Sequence, residues 1–439
     1  MSGGAPAGTA PAGAAPARPA TFREVFAVRE FRPLFGSYLL STIGDELARV
    51  ALTVLVYQRT SSALLSAITF GISYLPWLVG GPLLSTLADR FPRHRVLIAT
   101  DVARTLLVAG MAIPGTPLPV LLGLLLVVAL CAPPFEAARS ALMADVLDGD
   151  RYAVATSLTN VGSQVAQVAG FLLAGGLVAV LQPSVVLLLD AATFAVSALW
   201  LWSRLQRRPA PDADPGDGGP RSIWRDAGTG LRLIGRTPRL RAIIALTWVG
   251  TLFANAAEGI ATPLVDQLRE GAPQVGLLLA ANPLGVTLGG LVLARTVTQP
   301  RRERLVPALV VLSLLPILLA GLVAGWAGPG RGAYVLVVVL MFVAGLGAAW
   351  VIPLNVAFVQ AVPQAYRGRA FGVAVSGLYG VQGLGVLAAG LAAEGLSPGV
   401  VVALVGGVGL VAVVPPLLCF RRTQGHVAAE VPTAGPSGA

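Results

Sequence analysis

Residues 306–326 read VPALVVLSLLPILLAGLVAGW, and the residues just before them are Arg301-Arg302-Glu303-Arg304-Leu305. Twenty-one residues without a charge, at 1.5 Å rise each, match the ~30 Å hydrocarbon core of a bilayer. The basic cluster at one end assigns that end to the cytoplasm. Working outward from this stretch, eleven more of the same kind are found: Phe35 to Val56, Leu64 to Leu87, Val96 to Ile113, Leu118 to Phe135, Ala155 to Leu181 and Val185 to Trp202 before it, with Ile243 to Val265, Gln274 to Leu293, Gly332 to Phe358, Phe371 to Ala393 and Val400 to Phe420 completing the set. All 31 basic side chains are Arg, and 26 of them lie in the amino-terminal segment, in the even-numbered gaps or in the carboxy-terminal tail. The odd-numbered gaps hold only Arg59, Arg269 and Arg331. The sequence therefore predicts an all-α integral membrane protein of twelve helices, with both termini on the cytoplasmic side.

Composition agrees. Of 439 residues, 55% are hydrophobic and 12% charged, and mean hydropathy is +0.77, which leaves no room for a sizeable soluble domain. The net charge of +10 would suggest nucleic acid in a soluble protein. Here the basic residues flank spans and orientation accounts for them, so no nucleic-acid partner is expected. Cys131 and Cys419 sit inside apolar runs and read as small buried hydrophobes. With only His94 and His426, neither a histidine metal site nor a Ser-His-Asp hydrolase is expected, and no cofactor. The absence of a Walker-type phosphate loop removes ATP as the fuel.

The domain reading is an Ala/Pro/Gly tail over 1–20, a six-helix half over 21–204, a cytoplasmic linker over 205–240, a second half over 241–422 and a tail over 423–439. Within the linker, Ile223 to Ile234 has the pattern of a short amphipathic helix on the inner membrane face, or of an ordinary basic loop. The halves echo one another. Pro134 matches Pro353 at an offset of 219, and Gly162-Ser163-Gln164 matches Gly380-Val381-Gln382 at 218, as duplication of a six-helix unit would leave them.

The gap between spans 2 and 3 reads Ser85-Thr86-Leu87-Ala88-Asp89-Arg90-Phe91-Pro92-Arg93-His94-Arg95. It resembles the G-x-L-A-D-R-x-G-R-[RK] motif of the major facilitator superfamily, keeping Leu87, Ala88, Asp89, Arg90 and Arg93 and departing at Ser85, Pro92 and His94. The resemblance extends over about residues 21 to 422. Pro134 to Leu142, Arg367 to Gly372 and Gly44-Asp45 with Ala51-Leu52 look like its enterobactin-exporter and drug-efflux members. It implies two pseudo-symmetric six-helix halves and a cytoplasmic gate in which Asp89 faces the start of span 11. Asp101, Arg104, Glu136 and Arg139 are expected at the same membrane face as Asp89, Arg90 and Arg93, as one charge network or as separate helix pairs. In span 5, Gly170 and Gly175 fit the family's antiporter motif G-P-x-x-G-G, while Phe171 and Ala174 depart from it. Close helix packing is the other reading of those glycines.

Asp45, Glu46 and Arg49 lie near the middle of span 1, where each unpaired ionisable group costs roughly 2.5–3.5 kcal/mol on insertion scales. Arg49 stands about 40° around the helix from Asp45 and about 60° from Glu46, so it neutralises one carboxylate better than the other. This trio and Glu258 of span 7 are the proton-coupling candidates. The competing reading is a salt-bridge cluster that fixes packing, with Glu258 bonded to Asn255. Asp190, a few residues into span 6, reads as reaching the outer interface. Gln164, Gln167, Asn255, Trp248 and Tyr379 are the candidates for the substrate cavity, since a buried amide needs a partner and an aromatic face suits an apolar ligand. The reading is a monomeric secondary transporter, not an enzyme, that exports hydrophobic or amphipathic small molecules (a drug, siderophore or natural product) by proton antiport. A proton-coupled importer and a non-transporting sensor or scaffold are the alternatives.

Overall fold

The computed structural model describes residues 20–79, 90–209, 223–363 and 366–429. Ser85, Leu87, Ala88 and Asp89 of the motif lie outside the described residues, as do most of the linker's Pro/Asp/Gly run and both tail ends. Every regular element among the described residues is helical.

A short helix α1 (Phe22–Ala27) begins the described chain, closed by a capping box between Thr21 and Glu24. Six membrane helices follow: α2 (Phe31–Thr60), α3 (Ala63–Trp77), α4 (Arg93–Met111), α5 (Leu118–Val146), α6 (Asp150–Val180) and α7 (Pro183–Arg204). After the linker helix α8 (Ile223–Arg236) come six more: α9 (Pro238–Gln267), α10 (Ala272–Thr296), α11 (Gln299–Trp326), α12 (Arg331–Ala361), α13 (Arg367–Gly395) and α14 (Pro398–Thr423). Among the described residues nine of these are long and apolar enough to cross a bilayer by length and hydropathy. The other three are α2, with its central charges, α4, with Asp101 and Arg104, and α3, whose described part is short. Together they make the twelve-helix membrane fold.

Local sequence sets where these helices start and bend. Proline occupies the first or second position of α5, α7, α9, α10, α11 and α14, where its missing N–H costs nothing. In α5 the helix breaks at Cys131, just before Pro133 and Pro134; in α12 it breaks at Ala349 and Trp350, just before Pro353. A proline inside a helix removes a backbone hydrogen bond and clashes with the carbonyl four residues back, so the repeated prolines put the same bend in each half. The linker helix α8 packs on α13. A Cβ at Gly230 would stand 2.6 Å from the Arg369 carbonyl oxygen, so α8 lies against the protein as well as along the arginine-rich end of the bundle.

Outward-facing positions carry Leu106, Leu199, Leu291, Leu404 and Val411, the surface expected where hydrocarbon is the solvent. Between helices small residues permit close approach. A Cβ at Gly175 on α6 would lie 2.8 Å from the Pro273 carbonyl oxygen and 2.9 Å from the Cα of Gly276 on α10, so no larger residue fits without moving backbone. This contact joins the two halves at the arginine-poor end.

Candidate functional site

The 30 residues of α2 carry charge on two faces. Arg49 Nη1 lies 3.0 Å from Glu46 Oε2 and donates to Glu46 Oε1 at 3.2 Å. Of the two carboxylates within its reach, Arg49 takes Glu46. Its guanidinium also sits 5.2 Å above the ring of Phe70 of α3, a buried side chain, in a cation–π contact. Glu46 is further held by Gln167 of α6, whose Nε2 donates to Oε1 at 3.4 Å. Gly170 allows this: a Cβ there would stand 2.7 Å from the Glu46 Cβ. Asp45, one residue earlier, is within electrostatic reach of Arg104 on α4.

The second half completes the layer. In α9 the α-helix gives way at Asn255 to a 3-10 turn over Ala256–Ile260, and that turn carries Glu258. The partner of Glu258 is Tyr74, whose hydroxyl donates to Oε2 at 3.2 Å across the interface between the halves. Tyr74 and Tyr379 of α13 have ring centroids 6.2 Å apart, and Trp77 stacks on Tyr379 at 5.0 Å. Two carboxylates, Glu46 and Glu258, thus face one guanidinium, Arg49, beside an aromatic wall. Gln164 and Asn255 are half-buried nearby along α6 and α9. Trp248 donates from Nε1 to the Ala374 carbonyl at 3.1 Å and packs over Gly377, which fastens α9 to α13.

The residues expected at the gate fall into separate groups. Arg93 at the start of α4 pairs with Asp145 at the end of α5, and Arg90 is exposed. Glu136 and Arg139 pair with each other on α5, and the Arg139 guanidinium sits 4.0 Å over the Tyr38 ring of α2. Asp101 accepts a hydrogen bond from Ser197 of α7 at 2.5 Å. Arg104 lies between the Phe135 and Phe194 rings at 5.3 and 5.2 Å, deep in the first half. At the arginine-rich end, Arg208 donates to both oxygens of Glu30 at 2.9 and 2.7 Å, and the Gln206 N–H adds a third bond at 2.9 Å. Burial pushes the Glu30 carboxyl up, but the Arg208 and Gln206 bonds outweigh it and hold the group below its ordinary value.

Sequence reasoning missed three features. Asp190 is fully buried and does not reach an interface. Its position in the α7 stripe Leu187, Asp190, Ala191, Phe194, Ser197, Ala198, Leu201 is an (i, i+3, i+4, i+7) pattern that marks an inward face. Glu394 accepts from Ser62 Oγ at 2.7 Å and from the Leu64 N–H at 2.8 Å, so the second half supplies a carboxylate to the amino terminus of α3. Tyr57 donates to Asp266 at 3.1 Å. Together with Gly175 against Gly276, these contacts shut the arginine-poor end. Among the described residues no group of His, Cys, Asp or Glu is placed to hold a metal ion.

Comparison with known proteins agrees with this geometry. The family model described as Major Facilitator Superfamily matches residues 34–306. The chain is 26% identical over 371 residues to the uncharacterized MFS-type transporter YfiS of Bacillus subtilis (strain 168), covering 81% of this chain and 86% of that protein. It is 26% identical over 378 residues to the multidrug efflux pump Tap of Mycolicibacterium fortuitum, covering 81% and 87%. Among solved structures, a point mutant of the nucleoside transporter NupG superposes with a TM-score of 0.73 at 13% identity, over 89% of this chain and 100% of that one.

Proposed function

Since the chain belongs to the Major Facilitator Superfamily, whose members are transporters and not enzymes, we propose that it exports hydrophobic or amphipathic small molecules from the cytoplasm by proton antiport, working as a monomer in a bacterial inner membrane. One observation carries the reading: Arg49 faces two carboxylates, Glu46 on its own helix and Glu258 through Tyr74 on the opposite half. One guanidinium balances one carboxylate, so the layer is neutral when the other binds a proton. A proton taken up or released there is linked to the contact between the halves, which alternating access must break and remake. The aromatic wall of Tyr74, Trp77 and Tyr379 suits a flat apolar ligand more than a highly polar nutrient. The likeness to a multidrug efflux pump supports the direction.

In this reading the arginine-rich end and both termini face the cytoplasm. The state described is then closed to the outside by Glu394, Asp266 and the Gly175–Gly276 contact. Arg93, Arg139 and the Asp89 segment bias the opposite gate. Asp45 belongs to the same proton chemistry through Glu46 and Arg49 beside it on α2, and Gln164, Gln167 and Asn255 line the substrate path.

Ethidium efflux from an efflux-deficient host, measured with and without a protonophore, tests the proposal on the native chain and on Asp45→Asn, Glu46→Gln and Glu258→Gln. Export that the protonophore abolishes, and that Glu46→Gln or Glu258→Gln uncouples, is the expected result. Efflux that survives the protonophore refutes antiport. Inward flux of the dye assigns an importer, and no flux of any probe in vesicles assigns a sensor or scaffold.

A further inference from the structure

The first half holds a second set of charges, away from the layer between the halves. Asp101 and Asp190 are 0% exposed and Arg104 is 3% exposed. Asp45 approaches them from α2, so three carboxylates surround one guanidinium. Arg104 has aromatic rings on two sides, and its Nε is buried without a hydrogen-bond partner. Asp101 Oδ2 accepts from Ser197, while its Oδ1 is buried and unpartnered. Asp190 Oδ1 accepts from the Thr193 hydroxyl at 3.3 Å, and its Oδ2 is buried and unpartnered. Gly44 brings the α2 backbone directly over this carboxyl: a Cβ there would collide with both Asp190 Oδ1 and Thr193 Oγ1.

The arithmetic leaves two negative charges in excess if every acid is ionised. Buried carboxylates without donors or a counter-ion do not persist; they neutralise. Among the described residues no group of three or more His, Cys, Asp or Glu is placed to hold a metal ion, so the neutraliser is a proton. The groups facing Asp190 are Asp45 from α2, Arg104 from α4 and Thr193 from α7 itself, while Asp101, bonded to Ser197, faces Arg104 and Asp45. Cys131 of α5 faces Arg104 from the other side. From Phe171 to Val180, α6 has no titratable side chain. Asp101 and Asp190 each have one oxygen bonded to a neutral hydroxyl and one without a partner, but only Asp190 also has the α2 backbone closed over it at Gly44.

We propose that Asp190 carries a proton in this state, forming with Asp45, Asp101 and Arg104 a second proton-binding site inside the first half and outside the substrate cavity. Its place in the transport cycle rests on the antiport reading above; its occupancy by a proton does not. If both hold, the cycle exchanges a proton at each of two sites, with Asp45 linking them because it stands next to Glu46 on α2.

Infrared difference spectroscopy of the full-length protein in nanodiscs at neutral pH reads the C=O stretch of a protonated carboxyl directly. Expected is a band present in the native chain and in Glu46→Gln and Glu258→Gln, and absent from Asp190→Asn, whose amide has the shape and neutrality of the protonated acid. Thr193→Val, which removes the hydroxyl bonded to Oδ1, shifts the same band to higher frequency and gives the answer if Asp190→Asn is not obtained. A carboxyl band that both Asp190→Asn and Thr193→Val leave unmoved, or no such band in the native chain, overturns the proposal. Ethidium efflux insensitive to a protonophore, with the Asp190 band intact, removes the antiport reading and leaves the site standing.

Discussion

Tyr74 on α3 donates its hydroxyl to Glu258 on α9 at 3.2 Å, and this bond joins the two halves at the level where the Glu46–Arg49 pair lies. A hydrogen bond to a charged group contributes about 1.5–3 kcal/mol. It is present while the arginine-poor end is shut, so its loss favours the opposite state. Tyr74→Phe is expected to raise labelling of an Ala63→Cys reporter, buried at the arginine-poor end, by a membrane-impermeant maleimide about tenfold, since ~1.4 kcal/mol is a factor of ten in a population. Unchanged labelling would mean that the bond does not bias the two states.

Arg49 and Glu46 make a buried pair, and breaking one side of such a pair costs more than removing both. Arg49→Gln leaves Glu46 buried without its cation, a loss of about 3–5 kcal/mol. Thermal unfolding in detergent should fall by several degrees in Arg49→Gln. Adding Glu46→Gln should recover much of that loss, although neither variant restores proton-dependent efflux. A double variant as unstable as Arg49→Gln alone would show that Arg49 acts through Phe70 stacking more than through its charge.

Closure of the arginine-poor end depends on backbone approach as well as on charge. Gly175→Leu pushes a side chain into the Pro273 carbonyl, where nothing flexible can yield, and Glu394→Gln weakens the carboxylate at the start of α3. Both are expected to increase labelling of an Ala63→Cys reporter, buried in this state, and to lower efflux, Gly175→Leu by at least ~10-fold and Glu394→Gln by a few-fold. The order should not reverse: the glycine contact is steric, and no proton or salt concentration compensates it.

The fold was legible because lipid forces it. Each pass must satisfy its own backbone, so a helix of about 20 apolar residues declares itself, and Pro134 and Pro353 give away the repeat. The site was legible only as a list of residues. Buried charge in α2 and α9 is visible in sequence, but angles of about 40° and 60° leave open which carboxylate Arg49 takes. Gln167 and the opening at Gly170 hold Glu46 as that partner, and these are tertiary facts. The pairing of Glu258 with Tyr74 joins residues 184 apart in sequence, beyond any local pattern. Asp190 differs: its inward stripe was present in the sequence, and proximity to the start of the span obscured it.

Acid should loosen the arginine-rich end first. Glu30 sits at the start of α2 and is clamped to the stretch after α7 by Arg208 and the Gln206 N–H. Those bonds hold its carboxyl below the ordinary value of 4.5, so the folded state binds its proton more weakly than the unfolded chain does. The clamp therefore contributes in full above that value and is lost as pH falls through the lower, folded one. The pair is partly solvent-exposed, which keeps the contribution to about 1 kcal/mol or less. Expected is a fall in unfolding temperature below about pH 4.5 that is shallower in Glu30→Gln, with the two proteins differing most at neutral pH and converging in acid. Parallel curves across that range would show that the carboxylate is not what Arg208 holds in solution.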